Sequence, residues 1–231
     1  MAKPPVRIEM AALRAVLFDL DGTLLDTAPD MVGALNKLMS EQQRTPLPYG
    51  AVRNLVSHGS SRLVKLGFPD VEPEVFASLQ KRYLDIYAGA LSLETRLFEG
   101  MDGVLQAIEN RGLRSGIVTN KPGWLTQPLL EQLGLASRFA CVVSGDTVSA
   151  RKPDAMPMLH AAALAGVPAD TCLYVGDAER DVQAAHAAGM PALVATYGYL
   201  EPEEDWRAWG AEGSIGQPTD LLPWLEHSGH A

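Results

Sequence analysis

Cysteine is scarce in this 231-residue chain: Cys141 and Cys172 are the two it has. Two cysteines build no disulfide framework and no zinc site on their own. Both lie in apolar runs, which reads as buried free thiols in a reduced compartment. Positive charge is in deficit, with 19 Lys and Arg against 28 Asp and Glu and a formal net charge of −9. Such a chain repels a phosphate backbone overall, which argues against nucleic acid as the main partner and leaves room for a local anion site. Long hydrophobic runs are absent too. None approaches the ~20 residues that cross a bilayer, and the first residues, Met1 to Arg7, hold no hydrophobic signal core. The expected setting is therefore the cytoplasm, away from membranes. What is present is ordinary globular material, 47% hydrophobic and 20% charged. That suffices to bury a core and does not fit disorder, collagen-like repeats or coiled coil. The length fits one large domain, or one domain carrying a smaller insert, acting as a monomer or homodimer. Residues 1–10, with their charges and paired prolines, read as a loose tail.

Five short apolar runs stand out, at 15–19, 116–120, 141–145, 172–177 and 191–197. They lack clean polar alternation, which suits strands buried on both faces of a parallel sheet. Helical stretches separate the later runs, at 104–110, 124–133, 155–165 and 182–188, followed by Gly112, Gly134, Gly166 and Gly189. A glycine there is a common helix stop. Strand alternating with helix is the pattern of an open, doubly wound, Rossmann-like α/β sheet. The alternation breaks between the first two runs. Met31, Ala34, Leu35, Leu38 and Met39 share one helix face, and Phe76, Leu79, Tyr83, Ile86, Tyr87 and Ala90 share another. About seventy residues are too many for a loop. The reading is an inserted helical cap over 26–95, on an α/β core formed by 1–25 and 96–231.

Chemistry collects where the runs end. The first ends in Asp19-Leu20-Asp21-Gly22-Thr23-Leu24. Two acids one residue apart share a side of an extended segment. Gly22 lets the chain turn and brings backbone N–H groups toward an anion, although Asp-Gly is also a common turn pair. The second run ends in Thr119 and Asn120, whose hydroxyl and amide suit either an anionic oxygen or a helix cap. After the third come Lys152 and Pro153, with the lysine held extended by the proline. The fourth ends at Asp177, with Asp181 four residues on, sharing a helix face. Acids in a first helical turn often serve only the helix dipole. In a parallel sheet all these ends lie along one edge, where ligands bind. Four carboxylates would repel unless something positive sat among them. A hard divalent cation with oxygen ligands answers this, and Mg²⁺ is the usual one beside phosphate. Thr119 and Lys152 then face the same anion, and the assembly makes sense as a phosphoryl-transfer site.

These four segments, 19–24, 118–120, 152–153 and 176–181, resemble in order the four motifs of the haloacid dehalogenase superfamily, over nearly the whole chain. The insert resembles that superfamily's C1-type cap. Thr119-Asn120-Lys121-Pro122 and Tyr197-Gly198-Tyr199 are similar to the phosphoglycolate phosphatase group. The stretches 97–101, 197–205 and 209–211 are also similar to a branch that removes phosphate from N-acetylmuramic acid 6-phosphate.

The resemblance implies roles. Asp19 is the nucleophile that forms an aspartyl-phosphate. Asp21 protonates the leaving oxygen and later deprotonates the attacking water. Mg²⁺ is held by the Asp19 carboxylate, the Asp21 backbone carbonyl and Asp177, with Asp181 binding directly or through water. Thr119 and Lys152 bind phosphoryl oxygens, aided by Asn120 and the backbone of Leu20 and Gly22. In the insert, the polar break 56–62 resembles the cap loop of phosphoglycolate phosphatases, so His58, Gly59 and Arg62 are candidates to meet a substrate carboxylate. The plain alternative is a solvated arginine and an ordinary loop histidine. The implied substrate is a small carboxylate-bearing phosphomonoester, 2-phosphoglycolate first and N-acetylmuramic acid 6-phosphate second. A receiver domain is about half this length and has no acid two residues after its phosphorylated aspartate. A dehalogenase proper lacks Asp21, and a silent scaffold would have lost Asp19 or Asp177. A sugar phosphomutase shares all four motifs and differs in retaining the phosphoryl group.

Overall fold

The apolar runs become strands because nothing in them tolerates water. All four residues of β1 (Ala15–Phe18) are fully buried, as expected of a strand covered on both faces. The computed structural model describes residues 13–226, so the proposed tail at 1–10 lies outside the described residues. From β1 the chain runs through β2 (Leu25–Asp26), α1 (Ala28–Glu41), α2 (Tyr49–Val52), α3 (Gly59–Gly67), α4 (Pro73–Ala88) and β3 (Arg96–Leu97). It continues as α5 (Met101–Asn110), β4 (Arg114–Val118), α6 (Gly123–Gln132), β5 (Cys141–Val143) and α7 (Met156–Ala165). It closes with β6 (Cys172–Gly176), α8 (Glu179–Ala187), β7 (Ala192–Ala195), β8 (Gly213–Ile215) and α9 (Leu222–Glu226).

Six strands form one parallel sheet in the order β5-β4-β1-β6-β7-β8. The chain adds β4 and β5 on one side of β1, then returns to add β6 to β8 on the other. That reversal opens a crevice at the carboxyl ends of β1 and β6, the usual ligand position in such sheets. Helices cover both faces, giving the doubly wound α/β fold. Gly112, Gly134, Gly166 and Gly189, expected as helix stops, all take a left-handed φ. Cys141 and Cys172 are free and buried, and burial pushes their thiols up to about 11 and about 12, which makes them inert at neutral pH. β8 departs from the sequence reading: its three residues follow Gly210 and contain a glycine and a serine, so no apolar run announces them.

β2 and β3 pair antiparallel, Leu25 with Leu97 and Asp26 with Arg96, and the four helices α1 to α4 lie between them in the chain. The expected faces are buried in α1, at Met31, Ala34, Leu35, Leu38 and Met39, and in α4, at Leu79, Tyr83, Ile86 and Tyr87. Phe76 is only half-buried and Ala90 lies past the end of α4. The polar break at 56–62 is not an open loop. Arg53–His58 form a 3₁₀ helix, and Gly59, at φ +80°, starts α3. No helix of the described residues is long and apolar enough to cross a membrane.

Candidate active site

Asp19 follows β1 by one residue. Its N–H continues the ladder to Val175 O at 2.9 Å, so the sheet itself fixes the side chain at the crevice. The chain must then turn at once, and Gly22 does so with φ +83°. A Cβ there would lie 2.1 Å from Asp177 Oδ2, so glycine is required for close approach as well as for conformation. The turn is closed internally. The Gly22 N–H donates to Leu25 O at 3.0 Å and the Leu20 N–H to Asp19 Oδ1 at 2.7 Å. Here the two backbone donors expected to face an anion are already engaged by the turn.

β4 delivers Thr119 and Asn120. Thr119 is buried, and its Oγ1 accepts the Lys121 N–H at 3.1 Å. Both ends of the Asn120 amide bond the Lys152 backbone: Oδ1 accepts its N–H at 3.0 Å and Nδ2 donates to its carbonyl at 3.0 Å. Asn120 thus holds Lys152 in place, and it also lines the cavity described below. The Lys152–Pro153 peptide is cis. Lys152 Nζ lies 2.9 Å from Asp19 Oδ1, 2.7 Å from Asp181 Oδ1, 2.9 Å from Val118 O and 2.9 Å from Tyr174 Oη. Burial opposes its charge, but Asp181 and Asp19 outweigh burial and hold the ammonium above its ordinary pKa.

β6 and the first turn of α8 deliver Asp177 and Asp181. The carboxylates of Asp19, Asp177 and Asp181 are all buried and offer oxygens within 4.8 Å of one another. Burial, then Asp19 and Asp181, push Asp177 up to about 7. Burial also raises Asp19, opposed by Lys152. Three buried acids face one buried lysine and the half-buried Arg180, which leaves an excess of negative charge. Among the described residues Asp177 Oδ1 is buried without a hydrogen-bond partner, while Oδ2 accepts from the Tyr199 N–H at 2.9 Å and Ser57 Oγ at 3.0 Å. A trio of hard oxygen donors with an orphaned atom fits a divalent cation such as Mg²⁺. The Asp21 carboxylate stands apart from the trio. Its Oδ1 accepts from Thr27 Oγ1 at 2.7 Å and from Lys121 Nζ at 3.0 Å.

Lys121 was not foreseen as a site residue. It is buried, and its Nζ also donates to Tyr87 Oη on α4 at 2.8 Å, which ties the insert to the Asp21 side of the site. Its place in Thr119-Asn120-Lys121-Pro122 was the available signal. Arg180, inside the 176–181 segment, is a second such residue. It is half-buried and donates to Ser57 O at 2.7 Å. Burial opposes its charge, yet Asp181, Asp19 and Asp177 together hold it above its ordinary value.

A cavity of about 420 Å³ covers the site, with Asp19, Asp21, Thr119 and Lys121 below and Ser57, His58, Gly59 and Gln80 above. His58 Nε2 lies 2.8 Å from Glu201 Oε1 at the rim. Arg62 does not join them. α3 turns Leu63, Val64 and Gly67 inward, which leaves Arg62 exposed and off the cavity wall. The arginines that do line it are Arg151 and Arg180.

Residues 16–195 match the sequence model of the haloacid dehalogenase-like hydrolase family. A phosphoglycolate phosphatase from Xanthomonas campestris pv. campestris is 43% identical over 208 residues, covering 90% of this chain and 94% of that one. An N-acetylmuramic acid 6-phosphate phosphatase from Pseudomonas putida is 37% identical over 210 residues, covering 90% and 94%. A crystal structure described as a predicted phosphoglycolate phosphatase from Haemophilus somnus superposes with a TM-score of 0.83 at 25% identity, over 93% of this chain and 98% of that one. Sequence, fold and the carboxylates gathered around Lys152 agree: the chain belongs to the haloacid dehalogenase-like hydrolases and is a phosphatase, a phosphoric monoester hydrolase.

Proposed function

We propose that this phosphatase hydrolyses 2-phosphoglycolate with Mg²⁺, through a phosphorylated Asp19, beneath a cap formed by 26–95 on a core of 1–25 and 96–231. The observation that carries the reading is the meeting of Asp19, Lys152, Asp177 and Asp181 at one sheet edge, with Asp19 and Thr119 opening into a cavity also lined by residues of the 26–95 segment. Asp19, Asp177 and Asp181 would hold the Mg²⁺, which screens the phosphoryl charge so that an anionic nucleophile can approach. The Asp19 carboxylate attacks phosphorus and the ester oxygen leaves. Asp21 gives that oxygen its proton, then takes one from the water that cleaves the acyl phosphate and restores Asp19. Lys152 and Thr119 hold phosphoryl oxygens as their charge grows. Oδ1 of Asp21 is engaged by Lys121 and Thr27, which leaves the other carboxyl oxygen for the proton.

N-acetylmuramic acid 6-phosphate is the second reading. It is favoured by the Pseudomonas putida relative and by a cavity of about 420 Å³ whose walls mix Met31, Val56 and Leu125 with Ser60, Ser61 and Gln80. Such a volume lies in the general range of small-molecule sites, ~300–1,000 Å³, and so has room for a phosphorylated amino sugar. Phosphate release from both compounds, with and without Mg²⁺ and with no sugar bisphosphate added, tests both. Higher kcat/KM on 2-phosphoglycolate supports the first reading and the reverse ranking the second. A requirement for a sugar bisphosphate, with no free phosphate released, would identify a mutase instead.

A further inference from the structure

Ser57 belongs to the insert, yet the β6–α8 junction holds both its hydroxyl and its carbonyl. Its Oγ donates to Asp177 Oδ2 at 3.0 Å, and its carbonyl accepts from Arg180 Nη2 at 2.7 Å. The 3₁₀ helix that carries it is fixed from the other end. Arg53 donates to Gly198 O at 2.9 Å and Tyr197 O at 3.2 Å, and its guanidinium lies 4.9 Å from the centre of the Tyr199 ring. With Tyr199 N–H at 2.9 Å, Asp177 Oδ2 has two donors, while Oδ1 is buried without a partner among the described residues. The terminal torsion of an aspartate is broad and two-fold, so the backbone alone does not fix which oxygen is presented. Two donors on Oδ2 do fix it.

We propose that Ser57 is a positioning residue for Asp177: its hydroxyl turns Oδ1 toward the metal position, so that docking of the cap and binding of the metal strengthen each other. This rests on the metal reading given above. Linkage makes the effect reciprocal, since a contact that favours metal binding is itself favoured by the metal. Outer-shell partners of metal ligands typically carry ~10–100-fold in affinity. The Tyr199 N–H remains when Ser57 is changed, which places the expected loss near the lower end of that range.

The test is titration calorimetry of Mg²⁺ into the full chain without substrate, for wild type, Ser57→Ala and Ser57→Thr. It is paired with hydrogen exchange of the amides at 53–61 with and without Mg²⁺. Ser57→Ala should weaken Mg²⁺ about tenfold, and Ser57→Thr, which keeps the hydroxyl, should recover most of the loss. Mg²⁺ should slow exchange at 53–61 in wild type and do so less in Ser57→Ala. Unchanged or tighter Mg²⁺ binding in Ser57→Ala, beside normal binding by wild type, would overturn the role of Ser57 and leave the metal reading intact. Equal losses in the Ala and Thr variants would also overturn it. Absence of Mg²⁺ binding by wild type would overturn both.

Discussion

Asp19→Asn keeps the side chain's shape and removes its charge, and the two consequences separate. Turnover should fall by several orders of magnitude, because an amide oxygen does not replace the attacking carboxylate. Stability in metal-free buffer should hold or rise, since one of three mutually repelling buried acids is gone while Lys152 keeps Asp181. Phosphate release and thermal melting on the same sample check both, and near wild-type turnover would remove Asp19 from the chemistry. Asp21 makes a different demand. An alkyl phosphate leaves as a basic alkoxide and needs a proton, whereas nitrophenolate does not. Asp21→Asn should therefore slow single-turnover release of the leaving group far more with 2-phosphoglycolate than with p-nitrophenyl phosphate. Equal slowing would refute the general-acid role. Asp19, Thr119, Asp177 and Asp181 were legible as a group because each stands at the end of an apolar run or within four residues of it, and Lys152 follows the third run by seven. Lys121, Arg180 and Ser57 were not. Their partners lie 100, 123 and 120 residues away in the chain, and no local pattern reports such pairings.

At the scale of elements, reading was easiest where burial is two-sided. Five of six sheet strands coincide with or overlap largely apolar runs, whereas β2 and β3, two residues each, are too short for any periodicity. The break at 56–62 was visible as polar and Gly-containing, but its folding into a 3₁₀ helix and the start of α3 was not. That difference decides the fate of Arg62. Spacing from His58 gave no orientation, and the inward turn of Leu63 and Val64 sends Arg62 to solvent. Arg62→Ala should leave KM for 2-phosphoglycolate unchanged and shift stability by less than about 0.5 kcal/mol, as exposed positions usually do. Arg180→Gln should raise KM, because Arg180 lines the cavity and holds the carbonyl of Ser57. Steady-state kinetics on the two variants check this. A KM increase in Arg62→Ala alone would return substrate recognition to α3.

At the scale of the whole molecule, Lys152 and Arg180 leave part of the charge of the three acids uncancelled, and that remainder opposes folding until a cation joins them. Burial and its neighbours push Asp177 up to about 7 from 3.8, and Asp19 is raised as well. A carboxyl whose folded pKa lies above its unfolded one binds more protons in the native state between those values. Stability must then fall as pH rises through that window. Below the unfolded value the penalty is absent, and above the folded value it is complete. Other carboxylates favour the opposite slope at more acidic pH, so the effect should be clearest from about pH 5 to about pH 8. Melting temperature in EDTA should decline across that interval. Saturating Mg²⁺ should flatten the decline, since a cation among the three oxygens favours their ionised forms and stabilises the native state by mass action. Asp177→Asn should flatten it too, without metal, because the acid pushed up to about 7 is gone. A metal-free melting temperature that rises from pH 5 to pH 8 would show that Lys152 and Arg180 already balance the three acids, and the charge argument for a cation would fall with it.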